Sequence, residues 1–212
     1  MATQKNGPSG KVQGKIGNLV HYELNGKNVV RMVGRFAGPY SLKQLAVQQR
    51  MKVVTDFLSS TLSFIRVGFA SEVLGTNKNQ HNAAVSCNLI QGTTGSYPDI
   101  EMNYSKAMLS SGTLPPAQNV TLNNVLSAIE IKWDVTGLTP EYIGADRSMV
   151  LLYFPDKNES LTFFNTVQRY EGRFQQELPK RYQNQRMEAY LAFSDIATNS
   201  TSPSAWAGSI SS

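Results

Sequence analysis

Residues 129–135 read IEIKWDV, and the reading of this stretch decides the fold. Ile129, Ile131, Trp133 and Val135 alternate with Glu130, Lys132 and Asp134. A period of two puts the apolar set on one face of a strand and the charged set on the other. The same grammar continues toward the C-terminus. Ser148–Phe154 is a continuous apolar run closed by Pro155-Asp156-Lys157-Asn158, and Ser160–Val167 and Arg173–Leu178 follow, the latter after Gly172. Met187, Ala189, Leu191 and Phe193 alternate with Glu188 and Tyr190, and a last run spans Ser204–Ile210. With Val120–Leu122 upstream this makes about seven short strands separated by turn residues, the pattern of an immunoglobulin- or fibronectin-like β-sandwich. Trp133 is its expected core aromatic. The sandwich is assigned to residues 118–212.

Upstream, Ser110-Ser111-Gly112 and Pro115-Pro116 break every period and mark the expected domain boundary. Residues 1–117 then form an N-terminal module of arm, β-hairpin and helices, so the whole chain reads as α+β and mostly β. From Leu42 to about Ile65, Val47, Met51, Val54, Leu58, Leu62 and Ile65 recur at steps of three and four. That spacing predicts one long amphipathic helix, with Ser41 as its N-cap and Gly68 as its end or kink. A shorter helix is predicted over Asn79–Gln91, with Gly92 at its C-cap. Thr93–Pro98 reads as loop, and Ile100, Met102 and Tyr104 as one face of a strand.

The hairpin lies between Leu19–Leu24 and Lys27–Val33, joined by Asn25-Gly26, a pair suited to the positive φ angles of a two-residue turn. Pairing outward from it sets Tyr22 opposite Val29 and His21 opposite Val30. One face then carries Val20, Tyr22, Leu24 and Val29, the other Leu19, Val30 and Met32. A hairpin apolar on both faces needs cover on both. One cover is the protein's own helix, and the other is a second subunit.

The chain has 212 residues, 41% of them hydrophobic, and one cysteine, Cys87. It is long enough to bury a core without disulfides. The apolar runs are too short for a membrane helix, and residues 1–13 hold no apolar signal segment, so synthesis in the cytoplasm is expected. Residues 1–52 hold nine basic residues against Glu23 alone, whereas residues 53–212 hold 11 basic and 14 acidic ones. A basic arm suits an acidic surface, either nucleic acid or a neighbouring copy. No arginine-rich tract accompanies it, which argues against sequence-specific DNA reading.

The search for reactive clusters returns no catalytic residue, metal ligand or cofactor. His21 and His81 have no ligand partner at metal-binding spacing, and Cys87 lies on an apolar helix face as an inert thiol. Asp99 and Glu101 are close in sequence and are only weak candidates for a carboxylate pair. Gly10, Gly14 and Gly17 with Lys11 and Lys15 lack the ending and the preceding strand of a phosphate loop, and read as a flexible lead into the hairpin. The Asn-X-Ser/Thr triplets at Asn103, Asn119, Asn158 and Asn199 read as turn and strand-edge chemistry.

Three motifs, GKIGNLVHYELNGKNVVR, QQRMKVVTDFLSSTLSFIRVGF and HNAAVSCNLIQGTTGSYPDIEMNYSKAMLSSGTLP, resemble in order and spacing a family of uncharacterised proteins of unknown function, known mainly from Bacteroidota. The resemblance covers roughly residues 6–117, with a β-rich tail of similar length, and departs at GPYSLKQ before the long helix. It implies a mixed N-terminal module followed by a β-sandwich, and no known activity.

The expected function is a non-enzymatic structural protein that assembles with copies of itself as a tube, shell or fibre component of phage-like origin, in a virion-like or released assembly. Assembly would proceed by β-augmentation through Leu19, Val20, Tyr22, Val29, Val30 and Met32, with Lys11, Lys15, Arg31 and Arg35 for charge matching. The alternatives are glycan or protein recognition through Tyr142, Tyr170, Tyr182 or Trp206, and non-specific nucleic-acid binding by the basic N-terminal half. No membrane partner is expected.

Overall fold

A computed structural model describes residues 3–4, 11–24, 26–35, 38–125, 127–137 and 146–211. These are mostly β, with three α-helices and several antiparallel sheets. The chain divides into two compact units, Met1–Ser41 and Leu42–Ser212. The division falls at the start of the first helix, not at the 117/118 boundary expected from Ser110–Pro116.

In the first unit, β1 (Thr3–Gln4), β2 (Val12–Ile16), β3 (Leu19–Leu24) and β4 (Lys27–Met32) pair in chain order as an antiparallel sheet. Tyr22 faces Val29 and His21 faces Val30, the register expected from the turn. Asn25 of that turn lies outside the described residues, and Gly26 has φ of 76°. The lead into the hairpin is a correction. Residues 12–16 form a strand paired through Gly14–His21, Lys15–Val20 and Ile16–Leu19. Gly17-Asn18 is the turn that joins it to β3, with Gly17 at φ 56°.

The second unit opens with α1 (Leu42–Ser60) and α2 (Leu62–Gly68), two helices where one was expected. The break has a local cause. Ser59, Ser60 and Thr61 each turn the hydroxyl back onto the carbonyl three residues earlier, at 2.7, 2.9 and 3.2 Å, in competition with the helical ladder. The apolar stripe is buried at Val54, Leu58 and Ile65, but Val47 and Met51 are exposed. Next comes α3 (Gln80–Gln91), begun by Asn79, whose side chain accepts from the Asn82 amide at 2.7 Å, and followed by Gly92. β5 (Thr93–Thr94) and β6 (Glu101–Met102) form a small ladder, so the strand expected through Tyr104 stops at Met102 and a 3₁₀ turn takes Tyr104–Lys106.

β7 (Gln118–Val125), β8 (Ala128–Asp134) and β11 (Arg173–Glu177) form a three-stranded sheet ordered β11-β8-β7. β9 (Arg147–Phe154), β10 (Glu159–Gln168), β12 (Met187–Asp195), β13 (Ser200–Thr201) and β14 (Ala205–Ile210) make the larger sheet, ordered β10-β9-β12 with β13 and β14 both on β12. Ile129, Ile131, Trp133 and Phe174 of the small sheet share a core with Val150, Leu152, Phe154, Leu191 and Phe193 of the large one. Trp133 meets Phe193 edge-on at 5.6 Å. The alternate residues Met149, Leu151, Tyr153, Tyr190 and Ala192 share a second core with Val54, Phe57 and Leu58 of α1, Phe64 and Ile65 of α2, and Ala83 and Ala84 of α3. The large sheet is therefore covered on both faces. Its central strand β9 has to be apolar throughout, and the apparent alternation of β12 does not reflect burial, because Glu188 and Tyr190 are buried too.

The expected linker is pinned between these layers. Ser110 donates its hydroxyl to the Ser202 carbonyl at 2.6 Å and to that of Gly68 at 3.1 Å. Ser204 accepts from the Leu109 amide at 2.9 Å. A polar segment lacking periodicity is solvated only if no neighbour satisfies it, and here the backbone carbonyls of Gly68 at α2's end, of Thr201 in β13 and of Ser202, with the Ser204 hydroxyl, do so.

Candidate functional site

The register of β2, β3 and β4 sorts the sequence-derived interface residues onto two unlike faces. Ile16, Leu19 and Met32 lie in one row across three strands, beside the row Gly14, His21 and Val30. Met32 is 71% exposed, Ile16 and Val30 52% each, and Leu19 40%. Ile16 belongs to this face and escapes a reading that treats residues 10–17 as a flexible lead. The opposite face holds Val20, Tyr22 and Val29, all half-buried, and the exposed Leu24; Lys15 and Arg31 share a row with Val20, and Lys27 one with Leu24. The Arg31 guanidinium lies 6.0 Å from the Tyr22 ring centre. The first face is thus apolar at Ile16, Leu19, Val30 and Met32, and the second mixes apolar side chains and an aromatic with cations. Of the remaining charge-matching residues, Lys11 is paired with Glu23 at 2.9 Å and Arg35 is exposed beyond β4.

The edges of the two units differ. β4 is the last strand of its sheet and carries no bulge or proline between Lys27 and Met32. In the larger unit the edge strand β10 is interrupted between Phe164 and Gln168, where Asn165 has φ of 53°. A bulge of this kind discourages pairing with a further strand, whereas a regular edge presents a row of free N–H and C=O groups.

A cleft of about 560 Å³ opens on the larger unit, lined by Asp56, Glu101, Tyr104, Tyr153, Asn158 and Arg186 among others. The Tyr153 hydroxyl donates to Asn158 Oδ1 at 3.1 Å, and Arg186 lies 5.7 Å from the Tyr104 ring centre. Burial pushes both phenols above their ordinary pKa, and for Tyr153 the neighbouring Tyr104 adds to the rise. Both hydroxyls are therefore protonated at neutral pH and act as hydrogen-bonding groups rather than bases. The cleft offers donors and acceptors of both signs.

Arg169 is the functional-looking residue that spacing does not find. It is buried with Asp146, Nη1 to Oδ2 at 3.0 Å, and its other terminal nitrogen donates to the Pro115 and Pro116 carbonyls at 2.9 and 3.1 Å. Its own carbonyl accepts the Trp133 indole N–H at 2.7 Å, and its guanidinium stacks 4.2 Å from the Phe193 ring centre. Every contact is internal, so its role is to tie the Pro115-Pro116 segment to the sheets.

The other sequence candidates fall apart in space. His21 is half-buried in β3 and His81 lies on the first turn of α3. Among the described residues no three His, Cys, Asp or Glu side chains come together. Cys87 is half-buried against the helical core, and burial, followed by the charge of Glu72, raises its thiol pKa. Tyr182 is buried against Phe154 with ring centres 4.4 Å apart, which removes it as an exposed recognition aromatic. Trp206 donates to the buried Glu188 at 2.9 Å, Tyr170 is exposed, and Tyr142 lies outside the described residues. Asn158 and Asn199 adopt left-handed backbone angles near 50° in turns, Asn119 does so inside β7 where its register shifts, and Asn103 is extended. No helix is long and apolar enough to cross a membrane among the described residues.

Residues 11–208 match the model of a protein family of unknown function (DUF6266), and the chain belongs to that family. No curated protein matches the chain.

Proposed function

We propose that this chain is a non-enzymatic structural protein that assembles with copies of itself, a tube, shell or fibre component of phage-like origin. The observation that carries the reading is the sheet of the first unit, with Ile16, Leu19, Val30 and Met32 exposed together on one face and β4 as a regular open edge. Exposed apolar side chains in adjoining rows favour association, and a free strand edge supplies direction by β-augmentation. The strands of residues 118–212, two sheets facing across the Trp133 core, support an immunoglobulin- or fibronectin-like sandwich as the body of the subunit. Light scattering on the purified chain should give a mass several times that of one chain at micromolar concentration. Leu19→Asp with Met32→Asp should lower it by placing charge in a desolvated contact. A wild-type monomer, or a folded double variant of unchanged particle mass, overturns the reading.

A second reading is favoured by the cationic face. Lys15, Lys27 and Arg31 around Tyr22 combine charge with an aromatic ring, the pairing that holds single-stranded nucleic acid without sequence preference. Retention on single-stranded DNA that falls steeply with salt and is lost in Tyr22→Ala supports it; retention unaffected by either discards it.

A further inference from the structure

The open edge of β4 limits how a further strand can pair with it. Val33 N–H donates to the Asn18 carbonyl at 2.8 Å, across the β3–β4 ladder. Backbone direction alternates along a strand, so Arg31, Val29 and Lys27 also turn their N–H and C=O groups toward β3. Asn28, Val30 and Met32 turn theirs outward, where no strand among the described residues pairs with them. A strand that joins this edge must therefore bond to Asn28, Val30 and Met32.

We propose that two copies of this chain join edge to edge through β4, antiparallel, about a two-fold axis passing between the two Val30 residues. This rests on the assembly reading above and goes further by fixing the partner, the strand and the register. Outward-facing residues must meet outward-facing residues, so the register moves only in steps of two. Centring the pair on Val29 sets Lys27 against Arg31 of the second copy. Centring it on Arg31 sets the two Arg31 side chains against each other. Both place like charges directly across a ladder, which is destabilising. Centring on Val30 sets Val30 against Val30, Val29 against Arg31 and Asn28 against Met32, with no like-charged pair. It also forms about six backbone hydrogen bonds. The axis stands perpendicular to the sheet, so the rows of Ile16, Leu19, Val30 and Met32 from both copies continue on one side of the joined sheet.

Disulfide trapping reads the register directly, in the full chain carrying Cys87→Ser. In the proposed pair the two Val30 Cα atoms lie roughly 5.5 Å apart, within disulfide reach, while those of Val29 or of Arg31 lie beyond about 7 Å. Oxidation of Val30→Cys should yield a covalent dimer, and Val29→Cys and Arg31→Cys should not. Val30→Pro removes an outward N–H that the hairpin does not use. It should weaken association about tenfold or more while leaving the circular dichroism spectrum unchanged. Trapping that peaks at position 29 or 31 overturns the proposed register, and trapping at none of the three in a wild-type multimer overturns the edge pairing and leaves assembly by another surface standing. A wild-type monomer overturns both.

Discussion

At the scale of single residues, Arg169 and Asp146 show what a buried pair does in this molecule. Burial raises the Asp146 pKa, and hydrogen bonding to Arg169 works against that rise. The guanidinium is held on three oxygens and a ring, so removing either partner leaves a charge without water. Arg169→Met should destabilise the fold by about 3–5 kcal/mol, and a loss under about 1 kcal/mol in urea titration would contradict this role. The buried tyrosines make a second, pH-dependent contribution. Tyr104, Tyr153 and Tyr190 have phenol pKa values raised above the ordinary 10.0, each chiefly by burial. Their folded values exceed their unfolded ones, so their contribution is complete below pH 10 and is lost as pH climbs toward the folded values. The protein should unfold in alkali with a cooperative jump in phenolate absorbance, and Tyr190→Phe should diminish that jump. Gradual titration of all nine tyrosines near pH 10, without unfolding, would contradict it. Neither Arg169 nor Tyr190 announces itself in sequence: an arginine after a strand and a tyrosine in an alternating run look solvent-facing until a second layer covers them.

At the scale of elements, the large sheet determines which parts of the chain depend on one another. Its β9 and β12 are sandwiched between the three-stranded sheet and α1–α3. Residues 118–212 alone would expose Met149, Leu151, Tyr153, Tyr190 and Ala192 at once. Burying a side chain the size of Met149 or Leu151 is worth about 1.5–3 kcal/mol. The fragment 42–212 should therefore unfold cooperatively, while 118–212 should aggregate or bind a hydrophobic dye. Equal thermal stability of the two fragments would show that the helices are dispensable cover. Strand existence was legible from the two-residue period of 129–135 and from the unbroken run 148–154. The split of the first helix was also signalled, by Ser59-Ser60-Thr61, but a stripe of apolar residues every three or four positions runs straight across it. Val47 and Met51 continue that stripe beyond the cover that the sheet provides.

At the scale of the molecule, charge sets the conditions for assembly. The first unit carries Lys5, Lys11, Lys15, Lys27, Arg31 and Arg35 against Glu23 alone. Joining two such units brings net positive charge together, and salt screens that repulsion over a Debye length of about 8 Å at physiological strength. Multimer mass at a fixed protein concentration should rise between low and physiological salt. A fall would point instead to attraction between opposite charges. The sequence by itself determined the strands of the β-rich half, the capped helix at 80–91 and the hairpin register around Asn25-Gly26. Each follows from local period and turn chemistry. Only the tertiary structure decided that Val12–Ile16 is a strand, that Ser110–Pro116 is an internal strap, and that the sheet at 147–195 is covered twice. Those outcomes depend on partners distant in the chain: β3 for Lys15 and Ile16, Ser202 for Ser110, Phe57 and Leu58 for Leu151 and Tyr190. No local pattern encodes which distant surface will supply the missing contacts.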